Sequence, residues 1–183
     1  MRKFAVCILA GILLSTSVVS YSKDLSEEMS EGIVRLHIIA DSNDYEDQAV
    51  KLKIRDEILN EMKKHECDDI EDSVALFEKI ANQVLDYEGF GYEAKTEFGR
   101  FEFPTKHYDN FSLPKGEYNA VRVRLGKAEG ENWWCVLFPP LCMIDAATEE
   151  SELLLKETFG ENYDVITCEK PQFNIKFKLA EMF

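Results

Sequence analysis

The chain has 183 residues, 45% of them hydrophobic, and its 35 acids against 21 Lys and Arg give a net charge of −14. This length and apolar content suit one domain with a sizeable core. The charge argues against nucleic acid or an anionic membrane as partner, because the phosphate term would be repulsive.

Arg2-Lys3 followed by the apolar run Phe4 to Leu14 reads as an export signal, and the small residues Ser20 and Ser22 suit cleavage after Ser22. Left uncut, the stretch would be an N-terminal anchor. Against that, Phe4 to Tyr21 is diluted by serine and threonine, whereas a spanning helix needs about 20 mainly apolar residues. The chain is therefore divided into a signal peptide, 1–22, a flexible acidic leader, 23–32, and one domain, 33–183. Cleavage would remove two cations and no acid, taking the net charge to −16.

Ile33 to Ala40 alternates, with Ile33, Arg35, His37 and Ile39 on one face and Val34, Leu36, Ile38 and Ala40 on the other. This predicts a strand with one apolar and one mixed face. Asp41-Ser-Asn-Asp44 ends it and opens a helix to about His65, with Asn43 and Glu46 as the expected capping pair. Val50, Leu52, Ile54, Ile58, Leu59 and Met62 are its expected apolar positions. A second helix is predicted from Asp68 or Asp69 to Gly89 on the recurrence of Ile70, Val74, Phe77, Ile80, Ala81, Val84 and Leu85.

Beyond Gly89 the period becomes that of strands. Tyr92 to Phe103 is one, with Gly99 as an expected bend or bulge. Pro104 to Pro114 is an aromatic and basic loop, and Tyr118 to Leu125 alternates Val121, Val123 and Leu125 against Arg122 and Arg124. Gly126 to Gly130 has hairpin composition. Trp133 to Phe138 is apolar on both faces and is predicted as a central strand. Thr148 caps a short helix to Phe159, and Tyr163–Thr167 and Phe173–Leu179 are predicted as two further strands. The expected architecture is a single α+β domain, its mixed or antiparallel sheet packed against two long helices plus one short helix.

Chemistry-bearing residues are few. Asp41, Asn43, Asp44 and Asp47 cluster after a strand, but a calcium loop counted from Asp41 would need Gly where Glu46 stands and Glu where Leu52 stands. Helix capping accounts for the same acids. No Cys-x-x-Cys, Gly-x-Ser-x-Gly, His-Glu-x-x-His or phosphate loop occurs, so neither metal nor cofactor is expected. Cys135 or Cys142 with His107 as base would make a cysteine-dependent hydrolase, the alternative to a non-enzymatic reading. Cys135 has no basic neighbour to lower its pKa, and a disulfide suits an exported chain better.

Once the signal has gone, Cys67, Cys135, Cys142 and Cys168 remain. Pro139-Pro140 can reverse the chain and bring Cys135 and Cys142 within the ~4.4–6.8 Å between Cα atoms that a bridge needs. The rival pairing joins Cys142 to Cys168. Trp133 and Trp134 must point to opposite faces of their strand, so one is expected in the core while the other is free to face outward.

Four stretches resemble stage II sporulation protein R of endospore-forming Firmicutes. They are Val34-Arg-Leu-His-Ile-Ile-Ala-Asp-Ser-Asn43 with Glu46 to Asp56; Phe103-Pro-Thr-Lys-x-Tyr108; Leu113-Pro-Lys-Gly-Glu-Tyr118 running into Val121-Arg-Val-Arg-Leu-Gly126; and Asn132-Trp-Trp-Cys-Val-Leu-Phe-Pro-Pro-Leu-Cys142. The resemblance implies a signalling protein made in the forespore and exported into the space between the forespore and mother-cell membranes, released or briefly tethered. There it would activate a membrane-embedded aspartic protease that removes the pro-sequence of sigma-E, with no small-molecule substrate and no catalytic residue of its own. The hallmark residues are Arg35, His37, Asp41, Ser42, Trp133, Trp134, Cys135, Pro139, Pro140 and Cys142. The activating surface is expected where Arg35 and His37 share a strand face with the outward tryptophan, the Asp41-Ser42 turn at its rim.

Overall fold

Residues 33–40 form the spine of the domain: Leu36 and Ile38 are fully buried on one face and Ile33 and Arg35 on the other. The computed structural model describes residues 30, 32–64, 70–108, 111–141 and 148–167. In chain order the elements are β1 (Val34–Ile39), α1 (Tyr45–Lys64), α2 (Ile70–Glu88), β2 (Ala94–Phe103), the short strands β3 (Lys106–His107) and β4 (Ser112–Leu113), β5 (Gly116–Leu125), β6 (Asn132–Phe138), α3 (Glu149–Phe159) and α4 (Tyr163–Thr167). A 3-10 turn, Gly160–Asn162, precedes α4. The predicted signal peptide, all of the leader but Ser30 and Gly32, and the predicted strand 173–179 lie outside the described residues. Ser30, near the end of that leader, is buried. Among the described residues no helix is long and apolar enough to cross a membrane.

The fold is α+β, with a mixed sheet in the order β2–β5–β1–β6. β1 runs parallel to β5 and antiparallel to β6, while β2 pairs antiparallel with β5. One face packs Leu36, Ile38, Val121, Val123, Leu125, Cys135 and Leu137 against Val50, Ile54, Ile58 and Met62 of α1 and Phe77, Ala81 and Leu85 of α2. These α1 positions recur every four residues, and Leu52, two residues from Val50, falls on the outer side at 40% exposure. Leu52 is therefore not one of the core positions that its spacing suggested. The other face carries a second core of Ile33, Phe103, Phe111, Leu113, Tyr118, Ala120 and Val136 under Leu155, Phe159 and Ile166. The sheet is thus the middle of three layers.

Several elements depart from the sequence reading. β6 is the last strand of the described sheet, not a central one. Apolar residues on both faces report helices and loops above and below a strand, which does not require a strand on each side. Gly126–Gly130 is not a hairpin: the chain leaves β5, passes over the end of β1 and returns along its far edge as β6. A five-residue turn can span one strand or skip one, and composition does not separate the two. Residues 163–167 are helical because the chain continues past Gly160 through a 3-10 turn, and five residues of alternation are too few to exclude that. The predicted loop 104–114 contains the β3–β4 ladder. β2 pairs with β5 in unbroken register through Gly99, so no bulge forms there. Instead, a Cβ on Gly99 would meet the Phe101 ring at 3.2 Å. Thr148 does cap α3, its hydroxyl accepting from the Ser151 N–H at 3.3 Å.

The crossover is held by the residues that end β1. Gly130 N–H donates to the Ala40 carbonyl (2.9 Å) and Glu129 N–H to the Asp41 carbonyl (3.0 Å). The Asp41 carboxylate accepts from Lys127 N–H (2.6 Å), and the Asn43 side-chain carbonyl from Glu131 N–H (2.7 Å). Asn43 is thereby committed to the crossover rather than to capping α1. The start of α1 is instead fixed by Ser42, whose Oγ accepts from Asp44 N–H and donates to the Asp47 carboxylate. The free edge of β2 is closed from α2, where Asn82 bonds both backbone groups of Ala94 and the Glu78 carboxylate accepts from Thr96 N–H.

Gly130 lies so close to the Ser42 carbonyl and the Ala40 side chain that a Cβ would collide with backbone. Gly130→Ala should destabilise the domain by about 1–3 kcal/mol, the usual cost of forcing a methyl into a filled site. Gly91→Ala, where a Cβ meets nothing within 4 Å, should be near neutral in the same urea titration.

Candidate partner-binding face

β1 sends Arg35 and His37 to the face opposite α1 and α2, and cross-strand register sets their neighbours. Arg35 lies beside Ala120 and Val136, and His37 beside Arg122 and Trp134. The bulge between Val34 and Arg35 lets Phe138 and Val136 oppose consecutive β1 residues. Trp133 and Trp134 point to opposite faces as expected, and both are half-buried. Trp133 packs against the α1–α2 core, with the Arg55 guanidinium 5.4 Å from its ring centre. Trp134 turns to the other face and stacks on the His37 imidazole, the ring centres 3.7 Å apart at 20°.

Arg35, on the mixed face of β1, is fully buried. The segment from β2 to β4 folds over it: its guanidinium lies 4.1 Å from the Phe103 ring centre and 5.0 Å from that of Tyr118. The Tyr108 hydroxyl accepts from its Nη2 at 2.6 Å, and Tyr108 in turn stacks on Phe111. Among the described residues Nε and Nη1 have no hydrogen-bond partner, and no carboxylate pairs with Arg35. Burial lowers its pKa and raises that of Tyr108, while the Tyr118 phenol is pushed up to about 12. A guanidinium still keeps its proton at neutral pH. The aromatic faces offset part of its desolvation.

His37 is also buried, with Nε2–H donating to the Asn132 side-chain carbonyl at 2.7 Å and Nδ1 without a partner among the described residues. Burial pushes its pKa down to about 4, and Arg122 and Arg35 act in the same direction. It is therefore neutral at pH 7, a packing group rather than a base poised for proton transfer. Asp41 and Ser42 are the crossover and α1 contacts described above. The candidate residues thus fall into three places: Arg35, His37 and Trp134 share one face, Asp41 and Ser42 lie at the end of β1, and Trp133 lies on the opposite face.

The cysteine dyad is not assembled with Cys135. Cys135 faces the α1–α2 core, whereas His107 is exposed on β3 across the sheet with its Nδ1 bonded to Ser112 Oγ at 2.8 Å. Cys67, Cys142 and Cys168 lie outside the described residues. Phe103, Lys106 and Tyr108 belong to one of the family-like stretches, but the sequence gives them no site role; the Lys106 ammonium lies 5.5 Å from the Trp134 ring centre. The signal for them was the aromatic and basic content of residues 101–108, and only the folding back of that segment shows what it covers.

The family model of stage II sporulation protein R matches residues 30–148, from the start of the spine to the cap of α3. The chain belongs to this family. A curated relative, stage II sporulation protein R of Bacillus subtilis (strain 168), is 34% identical over 163 residues, covering 80% of this chain and 73% of the relative. No solved structure matches the chain. The family match takes in β1, the crossover, the Arg35 box and β6, and ends before α3 and α4.

Stability should carry the mark of His37. Its folded pKa of about 4 lies below the ~6.5 of an unfolded histidine, so the unfolded chain binds the extra proton as pH falls between them. The contribution is complete above pH ~6.5 and lost toward pH 4, on the order of 2–3 kcal/mol. Asn132, Arg122, Arg35, Trp134 and Phe103 face the ring. In urea titrations at pH 7 and pH 4.5, His37→Gln should lose less stability on acidification than the wild type.

Proposed function

We propose that this protein is an exported signal of endospore formation that activates a membrane-embedded aspartic protease, which then removes the pro-sequence of sigma-E. The observation that carries this reading is the family match over residues 30–148. The relative's name places it in sporulation, and the role in protease activation follows from the family resemblance. Export is supported by Arg2-Lys3 and the apolar run Phe4 to Leu14. The site of action on this reading is the space between the forespore and mother-cell membranes. A non-enzymatic role agrees with a neutral, stacked His37 and with the distance across the sheet between Cys135 and His107. The partner surface on this reading is the β1–β6 face around Trp134, with Arg35 and His37 acting from beneath it. Asp41 and Ser42 support it by fixing the crossover at its end, and Trp133 by anchoring β6 to the helices.

Co-expression with the candidate protease and its pro-sigma substrate in a non-sporulating host tests this directly. The full chain should produce cleaved sigma factor, and a chain lacking residues 1–22 should fold but give no cleavage in the other compartment. Cleavage by the trapped form would remove the export step from the proposal.

We further propose a Cys135–Cys142 bridge. Cys135 is disulfide-bonded, and Pro139-Pro140 lies between the two positions. A loop this short should stabilise the domain by about 2–3 kcal/mol. Peptide mapping of the non-reduced exported protein should recover the two cysteines in one linked fragment. Recovery of Cys135 joined to Cys67 or Cys168 would replace this pairing.

A further inference from the structure

On the face opposite α1 and α2, the half of the sheet around Ile39 is open and its charge is opposite to that of the molecule. Lys95 of β2 and Arg124 of β5 are direct cross-strand partners, both exposed, and Arg122 stands next along the same face. Like charges set directly opposite destabilise a sheet. Neither Lys95 nor Arg124 forms an ion pair with a described residue, whereas Arg122 is paired with Glu97 at 2.6 Å. Following β1 from Ile39 beside Arg124 to Arg35 covers four residues, about 13 Å of extended chain. At that far end sits the fully buried Arg35 guanidinium; among the described residues two of its three nitrogens have no partner and a phenol is its only hydrogen-bond acceptor. Two independent features, an unrelieved cation pair at the surface and a buried cation compensated only in part, therefore lie on one line in a protein of net charge −14. Both cost stability in the isolated chain, and both would be relieved by carboxylates.

We propose that this face binds an extended acidic segment of a partner protein, with Lys95 and Arg124 pairing with side-chain carboxylates and Arg35 receiving one beneath Tyr108. The Tyr108 hydroxyl is the cover: it must turn aside or share Nη2 for the carboxylate to reach the guanidinium. The cover is attached through the two-residue β3–β4 ladder and the Tyr108–Phe111 stack. Trp134, on the same face and stacked on His37, would pack against the bound segment. The site goes beyond the activator reading and is measured without the protease, so failure of either leaves the other standing.

The test titrates the purified full chain at low salt with C-amidated octa-glutamate and octa-glutamine, following Trp fluorescence and the Arg35 side-chain Nε–H resonance. Octa-glutamate should saturate with at least tenfold higher affinity than octa-glutamine and shift the Arg35 resonance. Lys95→Glu with Arg124→Glu should weaken binding at least tenfold. Arg35→Met, with a melting temperature at or above wild type, should weaken it at least fivefold. Absence of saturation, or an unmoved Arg35 resonance in the wild-type chain, would overturn the proposal whether or not Arg35→Met folds. Octa-glutamine with a free C-terminus binding as tightly would overturn the assignment to side-chain carboxylates. Stronger binding to phosphatidylglycerol vesicles than to octa-glutamate would overturn the assignment to a protein partner.

Discussion

The passage of the chain over the end of β1 is the constraint on which the rest of the structure depends. β1 can be central only if the chain leaving β5 steps across it, and residues 126–131 make that step against Ala40, Asp41 and Asn43. The step needs a residue without a side chain where it meets the Ser42 carbonyl, and Gly130 provides it. It also needs acceptors for backbone N–H groups that no strand partner can take. Asp41 and Asn43 supply side-chain oxygens, so these polar residues are spent on backbone. Ser42 joins the same corner to α1 through Asp47, whose other oxygen accepts from the Tyr92 hydroxyl at 2.6 Å. One short polar sequence thereby fixes a strand end, a helix start and a crossover.

With β1 in the centre, its two faces meet different surroundings. Toward α1 and α2 the side chains are aliphatic and packing is conventional. Toward β3, β4, α3 and α4 the strand carries Arg35 and His37 into a region built from Phe103, Tyr108, Phe111, Tyr118 and Trp134. Aromatic rings tolerate a cation and an imidazole where aliphatics would not, because their faces attract positive charge. The tolerance is incomplete. Among the described residues Arg35 keeps two unpartnered nitrogens and His37 one, and such groups concentrate where a protein gives up stability for recognition.

Charge is distributed unevenly over this frame. Acids dominate the chain, while Lys95, Arg122 and Arg124 gather on the sheet face that the second core leaves open. Local sign reversal on a strongly charged protein gives orientation as well as attraction, since the net negative charge disfavours approach of an acidic partner by other surfaces.

Much of the architecture was legible in the sequence. The period-two spine at Ile33–Ala40, the two amphipathic helices, the alternation of Val121, Val123 and Leu125 and the Thr148 cap all follow from local spacing and capping chemistry, and each is where those rules put it. The opposite facing of Trp133 and Trp134 was determined the same way, since adjacent strand residues cannot share a face. Family membership was legible too, because its motifs are linear. What only the tertiary structure decided is adjacency: that Gly126–Gly130 skips a strand, that β6 stands beside β1, that Asn43 serves residue 131, and that residues 101–113 fold back to bury Arg35. Local sequence encodes which face of an element is apolar. It does not encode which distant segment will cover that face, because that choice is made by the combined packing of all the layers.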